Sequence, residues 1–224
     1  VADGTVAAER VTESAARLVV LQMRLGLLDD IPAPSRQIGI SAQIAAGRRA
    51  QSRSITVLAD DARMLPLSGS RRVHVRGVDP SSLPQGWTVT DPDTAELAIV
   101  RLSAPFQARD TYFLEDGMEQ GSLEFPPELV AEVLDLAARV PVVLVVTLSR
   151  PAILTPFVGR VAALAADFGA SDVALLDALT GVVPPEGRLP FELPRDMPAV
   201  EASLPDVPSD TADPLYRVGW RFES

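Results

Sequence analysis

Val142-Val143-Leu144-Val145-Val146-Thr147-Leu148 is an unbroken run of apolar, mostly β-branched residues. It does not alternate, as a half-exposed strand would, and it is short for a helix; it reads as a strand buried on both faces. The segment before it, Pro126 to Val140, reads as a helix opened by prolines, which a first helical turn tolerates. Working outward, Leu97 to Leu102 is a second continuous apolar run, interrupted only by Arg101. Val73, Val75 and Val78 mark a strand around His74, and Ile55 to Leu58 and Trp87 to Thr90 are shorter β-rich runs. Val161 to Phe168 fits strand or helix by periodicity. Ser171 caps a helix running to Leu179, with Asp172 in its first turn and Gly181 as the stop. Gly187 to Leu193 is read as a final short strand before a Pro- and Asp-rich tail. Strands alternating with helices predict an α/β fold: an open, mostly parallel β-sheet sandwiched by helices on both faces.

Upstream, Ile38 to Gln51 is an Ala-rich helix with Arg48, Arg49 and Arg53 near its end, where cations suit the helix dipole. Val6 to Arg24 has apolar residues at three- and four-residue spacing, and Arg24-Leu25-Gly26 supplies a C-cap. Between these helices lie Asp29, Asp30, Pro32 and Pro34, which cannot continue a helix. The domain reading is therefore residues 1–28 as the end of an upstream domain, 29–37 as linker and 38–224 as the α/β domain.

With 224 residues, 47% hydrophobic and 22% charged, the chain can bury a core. It has no cysteine, so disulfides, thiolate nucleophiles and Cys-based metal sites are excluded. All 20 basic residues are arginine, which removes lysine Schiff bases and lysine phosphate clamps. One histidine, His74, leaves no two-His metal site, and no metal or cofactor is expected. A net charge of −10 disfavours nucleic acid and anionic membranes as partners. No apolar run reaches the ~18 residues of a membrane span, and no signal-peptide pattern is seen. The expectation is a soluble protein, cytoplasmic or exported.

His74 is expected to face outward on its strand, since no Gly-x-Ser-x-Gly elbow exists for it to serve. The acidic stretch Glu115-Asp116-Gly117-Met118-Glu119 is more suggestive. It follows the strand that ends near Arg101, with Arg109 between, and open α/β sheets place their sites after the carboxyl ends of parallel strands. Crowded, partly desolvated carboxyls have raised pKa values, which suits a general acid; a solvated acidic loop is the alternative.

Three motifs then resemble a known family. Phe168-Gly169-Ala170-Ser171-Asp172, Ala174-Leu175-Leu176-Asp177 and Gly187-Arg188-Leu189-Pro190-Phe191-Glu192-Leu193-Pro194 resemble the C-terminal domain of family 3 glycoside hydrolases. Arg24-Leu25-Gly26-Leu27-Leu28-Asp29 resembles the end of that family's N-terminal barrel. Ser54-Ile55-Thr56-Val57-Leu58 with Leu65-Pro66-Leu67 resembles the entry to its second domain. Arg101-Leu102-Ser103-Ala104-Pro105-Phe106 and Gly121-Ser122-Leu123-Glu124-Phe125 resemble its substrate-side loop, and Asp213-Pro214-Leu215-Tyr216 its C-terminal signature.

The resemblance implies a (β/α)8 barrel paired with this α/β sandwich, with the active site between them. Family members are retaining, exo-acting β-glycosidases, and retention uses two carboxyls about 5–5.5 Å apart. The attacking aspartate belongs to the barrel, so the chain alone is expected to be inactive. The acid/base candidates are Asp116, Glu115 and Glu119; Arg101 and Arg109 are the expected substrate-binding residues. The partners implied are the barrel, a carbohydrate substrate and, through the exposed barrel-facing surface, a second copy of the chain. Two departures fall on the substrate side: Glu119-Gln120-Gly121-Ser122-Leu123 has Glu where relatives have His, and Arg217-Val218-Gly219-Trp220-Arg221 replaces a Gly-rich aromatic ending. They leave open altered specificity or a non-catalytic carbohydrate-binding or structural relative; separately, the resemblance also allows a supporting domain of an N-acetylglucosaminidase-type member.

Overall fold

The structure is a computed structural model that describes residues 4–28, 39–109, 111–113, 118–204, 206–207 and 209–223. The chain forms two compact units, Val1–Ser41 and Ala42–Ser224.

The first unit holds helix α1, Ala8–Arg24. Its C-terminus closes as the Arg24-Leu25-Gly26 sequence requires. Gly26, at φ +69°, donates its N–H to Met23, and Leu27 donates to Gln22, the paired bonds of a Schellman cap. Leu18, Leu21 and Met23 on this helix are exposed. The linker reading of 29–37 lies outside the described residues.

The second unit is the α/β domain. After α2 (Ser41–Ser54) come β1 (Thr56–Ala59), β2 (Arg72–Arg76), β3 (Thr88–Val89) and β4 (Leu97–Ser103). They are followed by α3 (Pro127–Ala137), β5 (Val142–Thr147), β6 (Ala163–Asp167), α4 (Asp172–Leu179) and α5 (Met197–Ala202). The six strands form one sheet in the order β1-β6-β5-β4-β2-β3. All neighbours are parallel except β1, which runs antiparallel to β6.

Burial on both faces follows from the uniform apolar strands. Ala98, Val100, Val142, Leu144, Val146 and Leu164 share one face, packed by Val133 and its neighbours on α3. Leu97, Ile99, Val143, Val145, Ala163 and Ala165 share the other, packed by Ala174, Leu175, Ala178 and Leu179 of α4. The α4 N-cap is as expected, with Ser171 Oγ accepting from the Ala174 N–H. Val161 to Phe168, ambiguous by periodicity, resolves as the buried strand β6. Within the second unit α2 is tied down by charge, Arg48 to Asp177 and Arg53 to Glu186.

Two expectations need correction. Gly187 to Leu193 is not a strand: it makes one isolated antiparallel bridge, Leu193 with Tyr216, because Pro190 in its middle cannot donate to a ladder. The tail beyond it contains α5, started by Asp196, whose side chain accepts from the Ala199 N–H.

The closing segment seals the β1 edge of the sheet. Gly187 donates to the Ile55 carbonyl (3.1 Å), Phe222 to Val57 (2.8 Å), and the Trp220 indole to Leu58 (3.1 Å). Gly187 passes so close that a Cβ there would lie 2.2 Å from the Ser54 carbonyl oxygen and 2.6 Å from that of Ile55. Only glycine fits without moving the backbone.

Tyr216 lies beneath this segment, its ring centroid 5.3 Å from that of Trp220. Burial, with a contribution from the charge of Asp61, pushes its phenol from the usual 10 up to about 12. The unfolded chain releases this proton first, so its contribution to stability is full below pH 10 and is lost as pH rises toward 12. The loss should reach roughly 2–3 kcal/mol. Thermal melts at stepped alkaline pH should show the decline, and Tyr216→Phe should remove that part of it. Identical alkaline slopes for the two proteins would refute the assignment.

Candidate functional site

Strand order reverses between β2 and β4, so the crevice outside the carboxyl ends of the parallel strands is where this architecture accepts ligands. On the α4 face the apolar rows end in a polar row at that rim: Arg101 on β4, Thr147 on β5 and Asp167 on β6 follow Ile99, Val145 and Ala165. The cluster is dense. Asp167, fully buried, accepts from Arg101 Nε (3.0 Å) and Nη2 (2.8 Å), Thr147 Oγ1 (2.8 Å) and the N–H groups of Gly169 (2.8 Å) and Ala170 (3.1 Å). Arg101 also donates to Asp172 at 2.7 Å and to the Ala170 carbonyl at 2.7 Å. Asp172 opens α4, where a carboxylate suits the helix dipole, and it accepts from the Asp79 N–H. The guanidinium of Arg101 is thus directed into the protein, tying the turn after β6 to the sheet.

The outer rim is built from the loops after β4 and β5. Gln107 donates its N–H to the Gln120 carbonyl (2.7 Å), and Ile153 donates to Leu123 (2.9 Å). Arg150 Nη2 donates to the Gly121 carbonyl (2.8 Å), and the Ser149 hydroxyl donates to the Glu119 carboxylate. Segment 119–123 is held between the 104–107 and 149–153 loops. Glu119 and Arg109 are exposed, as are the apolar side chains of Phe106, Tyr112, Phe113 and Met118. Glu115 and Asp116 lie outside the described residues.

The structure therefore brings Glu119 together with Ser149, and Arg101 together with Asp167 and Asp172. Sequence reasoning did not single out Ser149, Arg150 or Asp167. A signal existed for Ser149 and Arg150, which directly follow the strongest strand, where the carboxyl-end rule puts functional loops. His74 is half-buried on β2, beside Arg76, Glu132 and Arg139 in a groove on the α3 face. Among the described residues no group of His, Asp and Glu side chains could hold a metal ion, and no helix is long and apolar enough to cross a membrane.

The sequence model of the glycosyl hydrolase family 3 C-terminal domain matches residues 88–223, from β3 through the rim to the closing segment. The chain belongs to glycosyl hydrolase family 3. The family 3 domain is 35% identical over 228 residues to a probable beta-glucosidase C of Aspergillus oryzae, covering 98% of this chain and 36% of that protein. It is also 35% identical over 176 residues to a periplasmic beta-glucosidase/beta-xylosidase of Dickeya chrysanthemi, covering 76% of this chain and 27% of the relative. The chain thus spans about a third of the length of the curated relatives it matches. Solved structures agree in fold. A β-glucosidase from Erythrobacter marinus superposes with TM-score 0.76 at 18% identity, over 98% of this chain and 40% of that one. One from Listeria innocua gives 0.74 at 17%, over 99% and 40%. The resemblance read from Gly187 to Pro194 and the motifs around it is borne out, and the open α/β sheet with it.

Proposed function

We propose that this family 3 domain is the C-terminal part of a retaining, exo-acting β-glycosidase of β-glucosidase type. In this reading an upstream (β/α)8 barrel, preceded in the chain by whatever the parent carries and ending in residues 1–28, supplies the attacking carboxylate. The rim after β4 and β5 closes over the sugar and offers the general acid/base from Asp116, Glu115 or Glu119, with Arg109 at its edge. The observation that carries the proposal is the family match over a rim at the carboxyl ends of β4 to β6, in relatives named as β-glucosidases. The chemistry fits: one carboxyl attacks the anomeric carbon while a second, about 5–5.5 Å away, protonates the leaving oxygen. With one carboxyl on each domain, neither half completes the pair, so the isolated chain should not hydrolyse glycosides.

The test is hydrolysis of p-nitrophenyl β-glucoside, β-xyloside and β-N-acetylglucosaminide by the 224-residue chain and by the same chain joined to its upstream barrel. Turnover by the joined protein alone, with the glucoside preferred, is the expected result. No turnover of any of the three by a joined protein whose barrel carries its aspartate would exclude the enzyme reading. Turnover confined to the N-acetylglucosaminide would favour the supporting-domain alternative.

A further inference from the structure

We infer that Arg150 is a positioning residue for proton donation, fixing the backbone that carries Glu119 on the rim; this rests on the functional reading above. Arg150 follows β5 by three residues, and its side chain reaches back under the loop after β4. Its Nη2 grips the Gly121 carbonyl at 2.8 Å, while the adjacent Ser149 hydroxyl donates to the carboxylate of Glu119. From the other side, the Gln107 N–H donates to the Gln120 carbonyl at 2.7 Å. Gly121, at φ +84°, is pressed against Gln107 so closely that a Cβ would lie 2.4 Å from its side-chain oxygen. Three successive residues, 119 to 121, are each held by a separate contact, two of them from the Ser149-Arg150 pair.

Packing does not account for the arginine. Its Nη1 is buried without a hydrogen-bond partner among the described residues, and the neighbouring Gln120 Nε2 is in the same condition. No carboxylate among the described residues pairs with Arg150. A half-buried guanidinium that, among the described residues, has one carbonyl acceptor and an Nη1 shut off from solvent is not favoured over a well-packed apolar side chain of similar volume. What the guanidinium gives in return is a planar fork aimed at the loop backbone, which a flexible ammonium or a thioether cannot reproduce. The stem it fixes carries Glu119, whose carboxylate the Ser149 hydroxyl holds in turn. A proton donor displaced by even about 1 Å loses much of its effect, and the loss shows only where the leaving group needs the proton.

That dependence supplies the test. In the joined barrel–domain protein, Arg150→Met should lower kcat/KM by about tenfold or more on cellobiose or methyl β-glucoside, and by less than about threefold on 2,4-dinitrophenyl β-glucoside. Arg150→Lys, retaining the charge without the fork, should fall between. Thermal melts of both variants, run alongside, report folding; a poorly folded variant loses both substrates alike, and Arg150→Lys then carries the comparison. Equal loss on the two leaving groups by folded variants, or no loss on either, overturns the inference and leaves the β-glycosidase reading standing. An unmodified joined protein inert on both substrates removes that reading and this inference together.

Discussion

Asp167→Ala will lower the stability of the domain by about 3–5 kcal/mol, because it breaks a buried ion pair by removing one partner. The carboxylate is fully buried and accepts five hydrogen bonds, two from Arg101, one from Thr147 and two from the backbone of the turn after β6. Alanine leaves a half-buried guanidinium with Asp172 as its remaining anion and strands the N–H groups of Gly169 and Ala170. For a domain of this size each kcal/mol moves the melting temperature by about 2–4 °C, so the midpoint should fall by roughly 10 °C. Asp167→Asn keeps the shape and part of the acceptor capacity and should cost less. The ordering alanine worse than asparagine, read by thermal or urea unfolding, checks the argument. A midpoint within about 2 °C of the parent for Asp167→Ala would mean that the cluster contributes little.

The second large effect is on activity. Among Asp116→Asn, Glu115→Gln and Glu119→Gln in the joined protein, the one that removes the proton donor should reduce kcat by about 10²–10⁴ on substrates with poor leaving groups. The same variant should keep a kcat/KM near the parent's on 2,4-dinitrophenyl β-glucoside, whose phenolate departs without protonation. Its kcat on that substrate should fall, because the same carboxyl is the general base for hydrolysis of the glycosyl-enzyme. The other two variants should stay within about tenfold on both substrates. A pH profile of kcat/KM adds an independent reading, since the limb reporting the donor's ionisation should flatten in that variant alone. If all three variants keep the parent's leaving-group dependence, the donor is not in this stretch and must be sought on the barrel.

How legible was this in the sequence? The strands that build the sheet centre were plain, since Val142 to Thr147 and Leu97 to Leu102 have no polar face to orient outward. The α4 cap at Ser171 was equally plain. Strand direction was not: the short run at β1 reads as a strand, but nothing local to Thr56–Ala59 says that it runs against β6. Helix α5 hid in a Pro-rich tail, although Asp196 followed by Met197 and Pro198 is a sound helix start. At the site, Arg101 stood out as a polar break in an apolar strand. Its role depends on carboxylates 66 and 71 residues further along, a pairing that no local pattern encodes. The acidic stretch was visible as composition, whereas the Ser149 and Arg150 contacts that hold its stem exist only after β4 and β5 lie side by side.

The sealing of β1 by Gly187 and Phe222 has a consequence for how the domain is made. A ribosome exposes β1 some 130 residues before Gly187, the first of the two, emerges. Until then the outer backbone of that strand is open to any neighbouring strand, including one from another nascent chain. Expression with carboxyl-terminal truncations ending before residue 187 should therefore yield inclusion bodies, not a smaller soluble domain, and chaperone supply should matter most in the final moments of synthesis.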